Sequence, residues 1–166
     1  MSEVTGWGLV PPTVLRDGPF GEGMVQQWIH ADLGVDLVAL VAGDDPRLRR
    51  MAVFDAIVNN TDRKGGHLLP MPDDHVYGVD HGVTFSTEPK LRTVLWGWMG
   101  TPLGDDEIEG VERVREELRA GLGRELAALL SPAEVTATRR RVASLLRYRR
   151  FPRPNPHWPA VPWPPF

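Results

Sequence analysis

A chain of 166 residues with 42% hydrophobic and 25% charged residues is long enough, and apolar enough, for one globular domain with a buried core. The formal net charge of −3 speaks against a general nucleic-acid binder, and the absence of cysteine excludes disulfides and thiolate metal sites. The opening MSEVTGWGLVPPT has no basic segment leading into an apolar run, and no stretch approaches the roughly 18 apolar residues of a membrane span. The expectation is a cytoplasmic protein.

The first eight residues read as the end of a helix, and Val10-Pro11-Pro12 forces extended backbone after it. Thr13 to Arg16 and Met24 to Ile29 read as the two strands of a hairpin, with the Gly-, Pro- and Asp-rich 17–23 as its turn. The spacing of Leu33, Leu37, Leu40 and Val41 predicts a helix over 32–42. Asp45-Pro46 is a helix start, capping residue then proline, and Leu48, Met51, Ala52, Phe54, Ile57 and Val58 give the next helix, 46–58, its inner face. Asp55, near the end of that helix, is expected in solvent or paired with the arginines at 47–50.

Two polar loops follow, each opening on an aspartate. Asn60-Thr61-Asp62-Arg63 begins the first and Asp80-His81-Gly82 begins the second. Between them the apolar pairs Leu68-Leu69 and Val76-Tyr77 predict a short hairpin, which can hold the two carboxylates at the mouth of one cleft. The segment 92–104 carries Trp96 and Trp98, expected mainly as core. A helix is predicted over 105–122 with Ile108, Val111, Val114 and Leu118 inside, then a further turn at 124–130. Ser131-Pro132-Ala133-Glu134 is a capping box opening a last helix to about Arg149; its arginines at 139, 140, 141, 147, 149 and 150 are expected as a solvated face beside the acidic helix before it, with binding of anionic lipid or phosphate as the alternative. The Pro- and Trp-rich 151–166 admits neither helix nor sheet interior; it reads as an extended strap over the domain, or as a polyproline ligand for a partner.

The two polar loops resemble the catalytic and metal-binding loops of phosphatidylinositol 3-/4-kinase-like proteins, nearest to the type II lipid-kinase and HipA-like branches and an actinobacterial group of such kinase-like proteins. The residues that carry this are Asn60-Thr61-Asp62-Arg63, matching N-x-D-R, and Asp80-His81-Gly82 after Val79, matching D-x-G; the match covers about a fifth of the chain. The resemblance implies an α+β fold: a mostly helical kinase-like large lobe, with a hairpin from the small lobe in front and a short hairpin between the two loops. Residues 1–30 would be a small-lobe remnant and hinge, 31–150 the large lobe, and 151–166 a tail. It implies an ATP-dependent phosphotransferase in which Asp62 orients the acceptor hydroxyl and takes its proton. Asn60 and Arg63 complete the catalytic loop, Asn60 by fixing it or assisting its polar network and Arg63 by pairing with a carboxylate or a phosphate; Asp80 ligates Mg²⁺, His81 is expected simply to pack, and Gln27, Trp28 and Ile29 lie beside the adenine. The acceptor would be a lipid, a protein or a small molecule.

Two departures bear on activity. His67 stands five residues after Asp62, where the family has an amide metal ligand, and imidazole suits Mn²⁺ or Zn²⁺ better than Mg²⁺. The chain also has only two lysines, Lys64 and Lys90, neither on a strand before the hinge. The expectation is a kinase that starts partway through its small lobe, a fragment or a minimal variant, with weak ATP binding and little or no turnover. Two alternatives stand beside it: a non-catalytic nucleotide-binding or scaffold protein, and a metal-dependent hydrolase built on Asp62, His67, Asp80 and His81.

Overall fold

The computed structural model describes all 166 residues as a mixed α+β protein with five α-helices and two small antiparallel sheets. Helix α2 (Pro46–Val58) is its axis. Asp45 caps it by accepting from the Arg47 amide, Pro46 occupies the first turn, and every residue from Met51 to Val58 is buried. A helix buried on all sides needs apolar neighbours all round. They come from α3 (Asp105–Glu117), α4 (Gly121–Leu129) and α5 (Pro132–Tyr148), and from Leu68, Val76, Leu95 and Trp98 of the connecting segments.

The predicted helix over 105–122 is two helices. The chain leaves helical geometry at Leu118–Ala120, and a Cβ on Gly123 would stand 2.2 Å from the Leu118 carbonyl, so the turn closes only around glycine. Helix α5 begins at the predicted box: the Ser131 hydroxyl accepts from the Glu134 amide while the Glu134 carboxylate accepts from the Ser131 amide. Its arginines do not pair with α3. Arg49 takes Glu107 and Arg50 takes Asp106, both from α2, while Arg139 and Arg141 bond to backbone carbonyls.

The N-terminal eight residues form turns, not a helix end. Trp7 is buried against Gly110 of α3, where any larger residue would strike the indole. Strands β1 (Thr13–Gly18) and β2 (Gly21–Gln26) pair in register from Thr13↔Gln26 to Gly18↔Gly21, a tighter turn than expected, with only Pro19 and Phe20 between them. No residue of either strand is buried. The helix expected over 32–42 is shorter. Asp36 caps α1 (Leu37–Ala42), and Leu33, assigned to its inner face, lies in solvent.

The hairpin between the polar loops is present: β3 (Leu68–Pro70) pairs with β4 (Val76–Gly78). The backbone of Leu9 and of Asp32 bonds to its outer edges, at Gly78 and Pro70 respectively. The tail is a strap. Phe151 is buried beside Trp98, the Ala160 carbonyl accepts from the Thr93 amide and the Trp96 indole, and the Pro165 carbonyl accepts from the Gly65 amide. The aromatics are not all buried by it, since Trp163 is 87% exposed. No helix is long and apolar enough to cross a membrane.

Candidate functional site

Helix α2 ends where the first loop begins, and the ending is built from asparagines. Asn59 terminates the helix in the left-handed region, a conformation asparagine tolerates, and its side-chain amide donates to the Ser86 and Glu88 carbonyls. Asn60 is fully buried. Its Nδ2 donates to Asp55 and its Oδ1 accepts the Asp62 amide, which sets the direction of the loop.

Below the loop lies a buried ion pair. Both nitrogens of the Arg63 fork meet the Asp55 carboxylate at 2.9 Å, and neither side chain has any solvent exposure. Asp55 therefore lies neither in solvent nor against the arginines at 47–50. The same guanidinium donates to the Val79 carbonyl and, at 3.4 Å, to that of His67. It also reaches His81 Nε2 at 2.6 Å. Arginine has no acceptor atoms, so His81 accepts and is neutral, with its proton on Nδ1. Burial, reinforced by the Arg63 charge, pushes His81 down to about 4.

This geometry bears out a carboxylate partner for Arg63 and a packing role for His81, and it corrects the catalytic role expected for Arg63 and the place of His81 in a hydrolase centre. Arg63 cannot reach a substrate: it is the internal tie that fixes the first loop to the second. His81 turns towards Arg63 and stacks edge-on against Phe54, so it does not join Asp80. Nowhere do three His, Asp or Glu side chains converge, so the four-residue hydrolase centre does not form.

What faces solvent above this base is Asp62 with two cations. Arg92 Nη2 lies 2.9 Å from one carboxylate oxygen and Lys64 Nζ 3.2 Å from the other. Partial burial pushes the Asp62 carboxyl up, but the hydrogen bonds and charges of Lys64 and Arg92 outweigh it and hold the group below the ordinary carboxylate range. Arg92 is the residue that sequence reasoning missed. It lies 30 positions from Asp62 and also grips the Thr61 carbonyl; the only signal was a cation in the segment after the second loop.

Asp80 stands in the left-handed region with its side chain 63% exposed, and His67 Nε2 lies 3.4 Å from it. His67 Nδ1 accepts a long bond, 3.5 Å, from the Lys64 amide, which leaves the proton on Nε2, towards Asp80. Burial pushes His67 down despite the Asp80 charge, so this imidazole is neutral at pH 7. A neutral His67 in this tautomer orients Asp80. To bind a metal through Nε2 it would have to move its proton and give up Lys64. The Thr61 amide donates to the Val83 carbonyl at 3.1 Å and Arg63 to the Val79 carbonyl at 2.9 Å, so the two loops lie side by side.

The expected hinge residues lie at the surface, Ile29 partly buried. Gln27 and Trp28 are exposed, Trp28 by 80%, and only the Gln27 amide is tied down, to the Pro12 carbonyl. Trp28 is therefore not packed in a strand.

The architecture is mixed α+β, with the two acidic loops adjacent at the surface and tied to each other through the backbone of Thr61 and Val83. No family model and no solved structure matches the chain. The Mycobacterium tuberculosis protein Rv2133c is 42% identical over 201 residues, a match that takes in the whole of this chain and 72% of that protein. The chain belongs to the same family as Rv2133c.

Proposed function

We propose that this chain is an ATP-dependent phosphotransferase resembling the phosphatidylinositol 3-/4-kinases, acting in the cytoplasm on a hydroxyl acceptor. The observation that carries the reading is the Asp62 carboxylate. It is held on a loop that buried Asn60 and Arg63 anchor from below, it is flanked by two cations, and it lies beside a second loop that offers an open Asp80.

Phosphoryl transfer asks the protein for positioning and for positive charge around the phosphate oxygens. Asp62, ionised at neutral pH, orients the acceptor hydroxyl and accepts its proton as the bond forms. Lys64 and Arg92 hold the Asp62 rotamer and set cationic donors at the place where phosphate charge would lie. Asn60, Asp55 and Arg63 act below the surface, keeping the first loop in register with the second. His67 orients Asp80. Asp80 would hold Mg²⁺, an ion that binds through one or two carboxylates and completes its shell with substrate phosphates and water; bound, it neutralises charge on the transferred group. One open carboxylate with a neutral imidazole fits that pattern better than it fits a protein-only metal cage.

The exposure of Gln27 and Trp28, and the absence of lysine from β1 and β2, favour a second reading in which the chain binds nucleotide without turning it over. Labelled ATP incubated with separate lipid and protein fractions separates the two. Transfer that falls by about 10²-fold or more in Asp62→Asn supports the first reading. Mg-ATP binding that Asp80→Ala abolishes, with no labelled product in any fraction, supports the second. Nucleotide affinity that is equal with and without Mg²⁺ in both wild type and Asp80→Ala would overturn both.

A further inference from the structure

A concavity whose surface is mainly apolar, with two arginines in its wall, lies behind the first loop, between α5 and the start of the tail. It has a volume of about 170 Å³, several water molecules' worth, and its wall includes Arg141, Ser144, Arg153, Asn59 and Asn155 but no acidic residue. The two asparagine amides are spent on the backbone of 86–89, which builds the wall and leaves Arg153 and part of the Arg141 guanidinium as donors. An adjoining concavity shares Ser144 and Arg153, adds Arg150, and is also without an acid.

Arg141 is the unusual member. Its guanidinium donates to the Ile57 carbonyl at 2.7 Å, the Ser86 carbonyl at 3.0 Å and the Thr138 hydroxyl at 2.8 Å, all neutral oxygens. Three of its five N–H groups are satisfied, none by a carboxylate. The Ile57 carbonyl is at the C-terminal, negative end of α2, which offsets part of the charge. Arg153 makes no hydrogen bond to the protein, and its guanidinium lies against Gly100. In a chain with more acids than bases, a half-buried cation without a counterion beside a second unpaired cation marks a place where an anion compensates the cost of desolvation.

We propose that Arg141, Arg153 and Ser144 bind the phosphate of a phosphomonoester, free or carried as a lipid headgroup. The site takes one doubly charged group: the two remaining N–H groups of Arg141, the Arg153 guanidinium and the Ser144 hydroxyl are the donors for a tetrahedral anion. Burial alone pushes Arg141 down to about 10, with no neighbouring charge to offset it, as expected of a cation waiting for an external partner. The proposal is independent of the phosphotransfer reading, since none of its three residues belongs to the Asp62 or Asp80 loop.

The test is titration of the full chain with inorganic phosphate and with glycerol 3-phosphate at constant ionic strength, followed by calorimetry and backbone amide shifts. A parallel arm uses phosphatidylcholine vesicles with and without phosphatidic acid. The expected result is saturable glycerol 3-phosphate binding with shifts centred on Ser144 and Arg153, weakened at least tenfold in Arg153→Ala. Binding to phosphatidic acid vesicles alone, lost in the same variant, would support the site and assign its ligand to a lipid. Arg141→Met should abolish binding. Because Arg141 also anchors α2, Ser144→Asp, an exposed change that sets a negative charge in the site, gives the same answer if Arg141→Met fails to fold. Unchanged affinity in Arg153→Ala and Ser144→Asp would overturn the proposal. So would equal shifts from added chloride, or binding lost in Lys64→Ala but kept in Arg153→Ala, which would put the anion at the first loop.

Discussion

The β1–β2 hairpin and helix α2 are of similar length and stand in opposite environments. Six paired positions join β1 to β2, yet no side chain of either strand is buried, and Leu15, Met24 and Val25 are all more than half exposed. Helix α2 is buried at Leu48 and at every position from Met51 to Val58, including a charged residue, Asp55, at zero exposure. A two-stranded ribbon alone in water is marginal, so the hairpin owes its form to backbone pairing and a tight turn, whereas α2 owes its form to burial. Stability is concentrated around α2 and the two loops it delivers, and perturbations should divide accordingly.

The largest effect should come from the pair at the centre. Arg63→Met leaves Asp55 buried without a partner, and urea unfolding should show a loss of about 3–5 kcal/mol. Asp55→Leu combined with Arg63→Met should recover part of that loss, because no uncompensated charge remains. A single variant costing under 1 kcal/mol would mean that water reaches the pair.

Acid should act on the same region next. His81 binds its proton at about pH 4 in the folded protein and near 6.5 when unfolded, so between those values the unfolded state holds more protons. Its contribution is fully present above about pH 6.5, declines as the pH falls, and is lost below about 4, on the order of 3 kcal/mol in all. His67, lowered in the same direction, adds to the decline. Denaturant midpoints measured between pH 7 and 4.5 should fall steeply in the wild type and less so in His81→Leu. An equal slope in both would place the titration elsewhere.

Intermediate effects should come from the helix ends that sequence alone identifies. Ser131→Ala removes both the hydroxyl acceptor and the partner of Glu134, and should lower stability by about 1 kcal/mol in the same unfolding assay. The smallest effects should come from the hairpin. Leu15→Ser and Met24→Ser should each change stability by less than about 0.5 kcal/mol. A cost above 1 kcal/mol, or one that depends on protein concentration, would show that this ribbon is covered in solution and would remove the contrast with α2.

Sequence reading found the elements whose cause is local. Asp45-Pro46 and Ser131-Pro132-Ala133-Glu134 start helices because the groups that satisfy the free amides lie within a few residues. The hairpin at 68–78 was legible from its two apolar pairs, and the two acidic loops from their position on either side of it. The break at Leu118–Ala120 was partly written in Gly121 and Gly123, but its place was set by the close approach of Gly123 to the Leu118 carbonyl.

What the chain alone could not decide is which charges meet. Asp55 was expected in solvent and is at the bottom of the site; Arg63 was expected among the catalytic groups and is sealed beneath them. Arg92, unassigned in the sequence, flanks Asp62, and Arg141 left the acidic helix for backbone carbonyls. Caps and turns are settled by backbone geometry over a few residues, and sequence records them. Ion pairs form between side chains tens of positions apart, and desolvation makes the choice of partner depend on burial. The sequence determined where the helices begin and where the two aspartates stand, and only the packing around α2 decided which of their neighbours face the solvent and which hold the loops from within.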